Sequence, residues 1–140
     1  MRLAYVAGPY RAPTPRGILQ NIRRAKGVAE LLWAAGYGVI CPHTNSGLMD
    51  DIAPDSTFLD AGLAMIDRLD TATDFVVLLD GWRDSVGSTR EWECAWGRKV
   101  ETWSWAYVRK GTGEIMRAQA AKGANVTMTE ALHAVLGIAE

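Results

Sequence analysis

A turn rich in small hydroxyl side chains precedes a carboxylate in the stretch GWRDSVGSTREWECA. Its small and hydroxyl residues are Ser85, Gly87, Ser88 and Thr89. Hydroxyls and free backbone N–H groups at a helix N-terminus bind anions, and a phosphate is the expected guest. Glu91 follows this turn, where an acid either caps the helix through its dipole or reacts with a ligand. The pattern therefore indicates either a capped helix or a site with a reactive acid.

Cleavage of an N-glycosidic bond is one reaction that suits an acid beside an anion site. Breaking that bond builds positive charge on the anomeric carbon, which a carboxylate stabilises or attacks to form a glycosyl ester. The leaving base needs a proton, and an aspartic acid can supply it. Residues two apart on a helix do not face each other, so only one of Glu91 and Glu93 faces the cleft.

Several aspartates lie on the helix predicted before the third strand and at its exit. They are Asp60, Asp67, Asp70 and Asp74. Asp60 and Asp67 are seven residues apart and share a helix face. The group is either a solvated surface or the source of a general acid that points into the cleft.

Two more polar loops follow predicted strands. Gly8, Pro9 and Tyr10 end the first strand, where glycine allows a ligand close to the backbone and tyrosine can stack on a base. The same residues also make an ordinary turn. His43 and Asn45 follow the second strand, and Asn45 offers a donor and an acceptor to a base edge or sugar hydroxyl. No Cys or second His lies near His43 at metal-ligand spacing, so no metal site is expected.

The order of predicted elements brings these loops together. Apolar runs predict strands at 3–10, 37–41, 74–82 and 99–108. Helical periodicity covers about 18–35, 58–71 and 89–97, and a hairpin turn at 109–114 and a helix at 128–138 follow. This alternation predicts an α/β, flavodoxin-like Rossmann-type fold, a three-layer sandwich with a four- to five-stranded parallel sheet. Ligands of such sheets bind past the carboxyl ends of the strands, where all three polar loops fall.

The composition excludes several classes of function. A chain of 140 residues with 49% hydrophobic content suits one globular domain. A net charge of −1 without a basic run argues against binding of polymeric nucleic acid. The two cysteines form neither a disulfide framework nor a zinc motif. No apolar run approaches the ~18 residues of a membrane span, so a cytoplasmic protein without a membrane partner is expected.

Five stretches of the chain resemble the nucleoside 2-deoxyribosyltransferase superfamily. They are YVAGPY, the helix with Asn21, CPHTN, DFVVLLDGW and SVGSTREWECA, within about residues 4–96. The similarity is closest to the small, often phage-encoded members, which include the deoxynucleoside-monophosphate N-glycosidases. It implies that Glu91 is the nucleophile. The segment of about 105–140 lies outside the resemblance but within the same predicted domain.

The resemblance also implies a binding role for the three loops. Ser85 and Gly87 would receive a 5′-phosphate, with Arg11 or Arg16 beside them. One or two of the tryptophans could stack on a base. The full candidate substrate-binding set is Gly8, Pro9, Tyr10, Arg11, His43, Asn45, Trp82, Ser85 and Gly87.

The proton donor is where this chain departs from the resemblance. The family carries an Asp eight residues before the Asp that opens the third strand, and that count from Asp74 reaches Ile66, next to Asp67. Alignment from the helix start instead reaches Gly62, with Asp60 nearby. The general acid is therefore Asp67 or Asp60, or it is missing.

The leading hypothesis is an enzyme that cleaves or transfers the base of a (deoxy)nucleoside or its 5′-monophosphate. Water as acceptor gives hydrolysis, and a second base gives transfer. No cofactor is implied, and the resemblance implies a homodimer or larger assembly. One alternative is a phosphoribohydrolase of the cytokinin-activating type, whose Gly-Thr-x-x-Glu signature is loosely similar to GSTRE. Another is a non-catalytic nucleotide-binding or sensing module.

Overall fold

One four-stranded parallel sheet forms the centre of the molecule, and the computed structural model describes residues 1–110. The strands are β1 (Leu3–Ala7), β2 (Gly38–Ile40), β3 (Phe75–Leu78) and β4 (Glu101–Ser104). The helices are α1 (Pro15–Ala34), α2 (Pro42–Asn45), α3 (Asp55–Ile66) and α4 (Val86–Gly97), with a 3₁₀ turn at Trp82–Asp84 and helical residues at 105–110. The predicted α/β class with a parallel sheet of the Rossmann or flavodoxin type is confirmed.

The spatial strand order is β2-β1-β3-β4, with every neighbouring pair parallel. The chain moves from β1 to β2 on one side and then crosses to β3 on the other. The direction of the strand order therefore reverses between β1 and β3. A crevice forms at such a reversal, past the carboxyl ends of the strands.

Alternate residues of the central strands supply two separate cores. On one face, Ala4 and Val6 of β1 pack with the apolar side of α1. On the other face, Tyr5 and Ala7 pack with apolar residues of β3, α3 and α4. Period-two alternation directs neighbouring residues to opposite faces, which produces the three layers. Tyr5 is thereby carried to the α3–α4 side, fully buried.

Helix α1 begins earlier than its apolar periodicity indicates. The Thr14 hydroxyl accepts a hydrogen bond from the Gly17 N–H at 3.1 Å, and Pro15 occupies the first helical position. Proline suits that position because the N–H it lacks has no partner inside the helix. Residues 15–17, which lie before the predicted helix of about 18–35, are therefore helical.

The observed ends of other helices and strands also differ from the predicted ones. Helix α3 starts at Asp55 and ends at Ile66, ahead of the predicted 58–71, and α4 starts at Val86 rather than at 89. Strand β4 ends at Ser104, where its partner strand β3 also ends, so the predicted strand over 105–108 is wrong. Those residues are helical and bury Val108 in the α1-side core. The predicted helix at 128–138 and most of the predicted turn at 109–114 lie outside the described residues. No helix within residues 1–110 is long and apolar enough to cross a membrane.

Asp74 joins the starts of the two central strands. Its carboxylate accepts hydrogen bonds from the N–H groups of Leu3 and Asp70, each at 2.8 Å, and from the Thr73 hydroxyl at 3.1 Å. Burial alone would raise the pKa of Asp74, but these bonds outweigh it and hold the pKa below its usual value. Asp74 is therefore a structural residue of the sheet.

Replacing Asp74 by alanine should destabilise the fold by about 3 kcal/mol, because partly buried N–H groups of Leu3 and Asp70 lose a charged acceptor. Urea unfolding followed by circular dichroism measures the loss. The control is Asp51→Ala, which removes an exposed carboxylate. Equal midpoints for the two variants would contradict the role assigned to Asp74.

Candidate functional site

A cavity of about 770 Å³ opens past the carboxyl ends of β1 and β3. Its wall comes from the loops after those strands, from α2 and from the first turns of α3 and α4. Most of the predicted site residues line it: Gly8, Pro9, Tyr10, Arg11, His43, Ser85, Gly87 and Glu91. The structure thus brings the three polar loops to one site.

Four predicted residues are not among those that line the cavity. Asn45 is an exposed residue at the end of α2. The Trp82 ring packs on Trp92, with ring centroids 5.5 Å apart. Asp60 is exposed on α3. Asp67 ends that helix, and its Oδ1 lies 3.8 Å from Arg98 Nε. The geometry gives no support to these two aspartates as proton donors.

Sequence reasoning missed four titratable residues of the wall. They are Tyr5, Asp50, Asp55 and Asp84. Tyr5 has a sequence signal, since it is the one side chain with a polar group in the buried strand LAYVA. The aspartates lie in a loop, a helix start and a 3₁₀ turn, where acids are common and carry no distinguishing pattern.

Glu91 does not cap its helix. The cap is Ser85, whose hydroxyl oxygen accepts from the Ser88 N–H at 3.3 Å. Glu91 is in the second turn, because α4 begins at Val86. Glu93 is exposed, so Glu91 is the acid that faces the cavity. Of the two interpretations of this carboxylate, capping is therefore excluded.

A buried hydrogen bond connects β1 to the carboxylate of α4. The Tyr5 hydroxyl donates to Oε2 of Glu91. Burial raises the pKa of Glu91 to about 7, although the bond from Tyr5 lowers it. Burial and the nearby charge of Glu91 also raise the pKa of Tyr5, so the phenol keeps its proton. Within residues 1–110 no group donates to Oε1 of Glu91, which leaves that oxygen available to a ligand.

Gly62 of α3 lies directly against this pair. A Cβ at position 62 would be 2.5 Å from the Tyr5 hydroxyl oxygen and 3.5 Å from Glu91 Oε2. The helix position that one alignment assigns to an acid therefore has no room for any side chain. The Tyr5 hydroxyl occupies that space beside Glu91.

Two side chains hold the loop after β1. Asn21 of α1 donates from Nδ2 to the Tyr10 carbonyl at 2.9 Å. His43 lies 3.0 Å from the Pro9 carbonyl through Nε2, which must donate because a carbonyl only accepts. Burial lowers the pKa of His43 against the effect of the Pro9 and Gly8 carbonyls, which favours the neutral ring. His43 shapes the cavity wall and, within the described residues, belongs to no group that could hold a metal.

Ion pairs cross the mouth of the cavity. Arg11 forms a two-pronged contact with Asp55 at the start of α3, with Nε 3.1 Å from Oδ2. Its Nη2 also lies 3.1 Å from Asp50 Oδ1. Tyr10 donates to Asp50 Oδ2 at 3.0 Å. The predicted phosphate ligand Arg11 is thus already paired with two carboxylates.

Gly62→Ala should destabilise the fold by about 1–3 kcal/mol, because the new methyl group meets the immobile Tyr5 ring tip. It should also disturb the Tyr5–Glu91 bond. Thermal and urea unfolding measure the change. The control is Gly27→Ala, also inside a helix but with open space around it, which should stabilise by about 0.5–1 kcal/mol. Stabilisation by both substitutions would show that position 62 tolerates a side chain.

Comparison with known proteins shows one family match. A family model described as a domain of unknown function (DUF4406) matches residues 3–102. The matched range runs from β1 into β4 and contains every residue that lines the cavity. The chain matches no curated protein.

Proposed function

We propose that this protein, which belongs to the DUF4406 family of domains of unknown function, breaks the N-glycosidic bond of a nucleoside or nucleotide. Glu91 is the nucleophile in this proposal. The observation that carries it is a carboxylate, hydrogen-bonded by a buried tyrosine, on the wall of a cavity at the carboxyl ends of parallel strands. The resemblance to the nucleoside 2-deoxyribosyltransferase superfamily supports the same role for Glu91.

The reaction would proceed through a glycosyl ester. Oε1 of Glu91 attacks the anomeric carbon while the bond from that carbon to the base nitrogen breaks, and the electron pair stays on the nitrogen. A water molecule or a second base then attacks the same carbon and releases the carboxylate, and the proton that this acceptor loses balances the one that the departed base takes up from solvent. Hydrolysis and base transfer differ only in this acceptor.

Tyr5 would position the nucleophile. Its hydroxyl fixes Oε2 and leaves Oε1 as the reactive oxygen. The same bond stabilises the ionised carboxylate, because a hydrogen bond to the charged form favours that form. Without Tyr5, burial alone would keep more of Glu91 protonated, and a protonated acid cannot attack.

The size of the cavity agrees with a small-molecule ligand. Pockets for such ligands measure roughly 300–1,000 Å³, and this one measures about 770 Å³. Tyr10 lines the wall and offers a ring face to a base, and Gly8 keeps the backbone close. Gly87 exposes N–H groups of the first turn of α4 to the polar end of the ligand.

The decisive comparison is Glu91→Gln against Glu93→Gln. Release of free base from a panel of nucleosides and their 5′-monophosphates, with and without an acceptor base, is followed by chromatography. Loss of the nucleophile should lower kcat on the order of 10³-fold, whereas Glu93→Gln removes an exposed carboxylate and should leave it unchanged. Binding without release by the unsubstituted protein would instead favour a sensing module.

Tyr5→Phe should shift the acidic limb of the kcat/KM profile to higher pH. The Tyr5 bond lowers the pKa of Glu91, so its loss raises a pKa that is already about 7. The active fraction then falls at neutral pH and recovers in alkaline buffer. The control is Tyr37→Phe, which removes a buried hydroxyl without a hydrogen-bond partner. A profile that does not move in Tyr5→Phe would rule out the positioning role.

A further inference from the structure

The charges around the cavity are unequal. Among the described residues that line it, Arg11 is the one basic side chain. The acidic ones are Asp50, Asp55, Asp84 and Glu91. The lining therefore carries four acidic groups against one guanidinium.

Pairing at the mouth leaves part of this negative charge uncompensated. Arg11 is engaged by Asp50 and Asp55 and is not free to hold a ligand anion. The hydrogen bond to Asp55 is the largest cause of the raised pKa of Arg11. Asp84 forms no hydrogen bond or ion pair through its carboxylate within residues 1–110. Asp84 and the ionised form of Glu91 thus both present negative charge to the cavity without a basic partner within residues 1–110.

This charge lies beside the turn that the sequence predicts to hold a phosphate. Asp84 directly precedes Ser85, and the Ser85 oxygen already accepts from the N–H and the hydroxyl of Ser88. The free N–H groups of α4 attract an anion, but a neighbouring carboxylate repels a phosphate dianion at short range. The local balance disfavours a 5′-phosphate.

Two acidic groups of the wall remain open to a ligand, beside the N–H groups of the first turn of α4. They are Oε1 of Glu91 and the carboxylate of Asp84. Carboxylate oxygens accept hydrogen bonds and attract positive charge, so they favour a ligand that brings donors or a cation.

Most described groups that could protonate a leaving base are committed elsewhere. The Tyr5 proton is used on Glu91, and the His43 proton on the Pro9 carbonyl. Asp50 and Asp55 are held as partners of Arg11. Asp84 is the exception, because its carboxyl group has no partner within residues 1–110. A base that leaves without receiving a proton needs none of these groups.

We infer, on the basis of the function proposed above, that the substrate is an N-glycoside whose base already carries a positive charge and whose sugar carries no 5′-phosphate. N-alkylated purines and pyridinium bases belong to this class. Their positive charge complements Asp84 and Glu91, and their leaving needs no acid.

The chemical step balances without a proton donor. Oε1 of Glu91 bonds to the anomeric carbon as the carbon–nitrogen bond breaks. The electron pair of that bond cancels the positive charge of the base, which departs neutral. Water then attacks the anomeric carbon, the ester bond returns its electrons to Glu91, and the proton of the water passes to solvent.

Matched substrates test the inference. The pair 7-methylguanosine and guanosine differs in base charge, and 7-methylguanosine 5′-monophosphate adds the phosphate. We expect kcat/KM for 7-methylguanosine to exceed that of each of the other two at least tenfold, after subtraction of spontaneous loss of the base. Glu91→Gln should abolish the enzymatic release.

Asp84→Asn separates electrostatic selection from the greater intrinsic reactivity of a cationic base, because that reactivity is the same for every variant. The substitution should reduce the preference for 7-methylguanosine over guanosine, and its preference over the 5′-monophosphate, each by about three- to tenfold. The control Asp51→Asn, which changes an exposed acid away from the lining, should leave both ratios unchanged. Titration of the Glu91→Gln variant with the same compounds should give the lowest Kd for 7-methylguanosine, in agreement with its highest kcat/KM.

The outcomes separate the two levels of the proposal. One outcome is efficient release of base from guanosine or from the monophosphate, with kcat/KM ratios between the compounds that Asp84→Asn does not change. This outcome would overturn the inference on substrate charge and leave the proposed reaction standing. No Glu91-dependent release from any compound, including the wider panel of nucleosides, would overturn both.

Discussion

The buried contact between Tyr5 and Glu91 is the constraint around which the site is built. It joins the central strand β1 to helix α4, and it requires α3 to pass without a side chain at Gly62. Burial of an ionisable group destabilises the folded state unless the group is hydrogen-bonded. The contact supplies one hydrogen bond to Oε2 of Glu91 and leaves Oε1 without a donor within residues 1–110, so one carboxylate oxygen remains open to the cavity.

The parallel sheet explains why this contact faces a cavity. The strand order reverses between β1 and β3, and the loops that leave these strands diverge to opposite faces. Asp74 joins the opposite ends of the same two strands through bonds to Leu3 and Asp70. The sheet is thus fixed at its amino end and open at its carboxyl end, where the ligand would bind.

The alternation of apolar runs and helical periodicity was sufficient to predict the fold class, the parallel sheet and the common location of three loops. The turn before α4 marked Glu91 as a candidate, and the resemblance selected it over Glu93. The predicted ends of the helices and strands were less accurate than the predicted fold class. Residues 105–108 look extended in the sequence, but β4 ends where β3 offers no further partner, and the chain turns into a helix that buries Val108.

The sequence by itself determined which loops meet, because this follows from periodicity and spacing along the chain, and spacing limited the acid that faces the cleft to Glu91 or Glu93. Only the tertiary structure decided that Glu91 faces the cavity and what surrounds it. Tyr5 is 86 residues away from it, Gly62 lies on a different helix, and Arg11 is paired with acids from two other segments. Hydrogen bonds, steric exclusion and charge pairing depend on distances in space, which spacing along one chain does not encode.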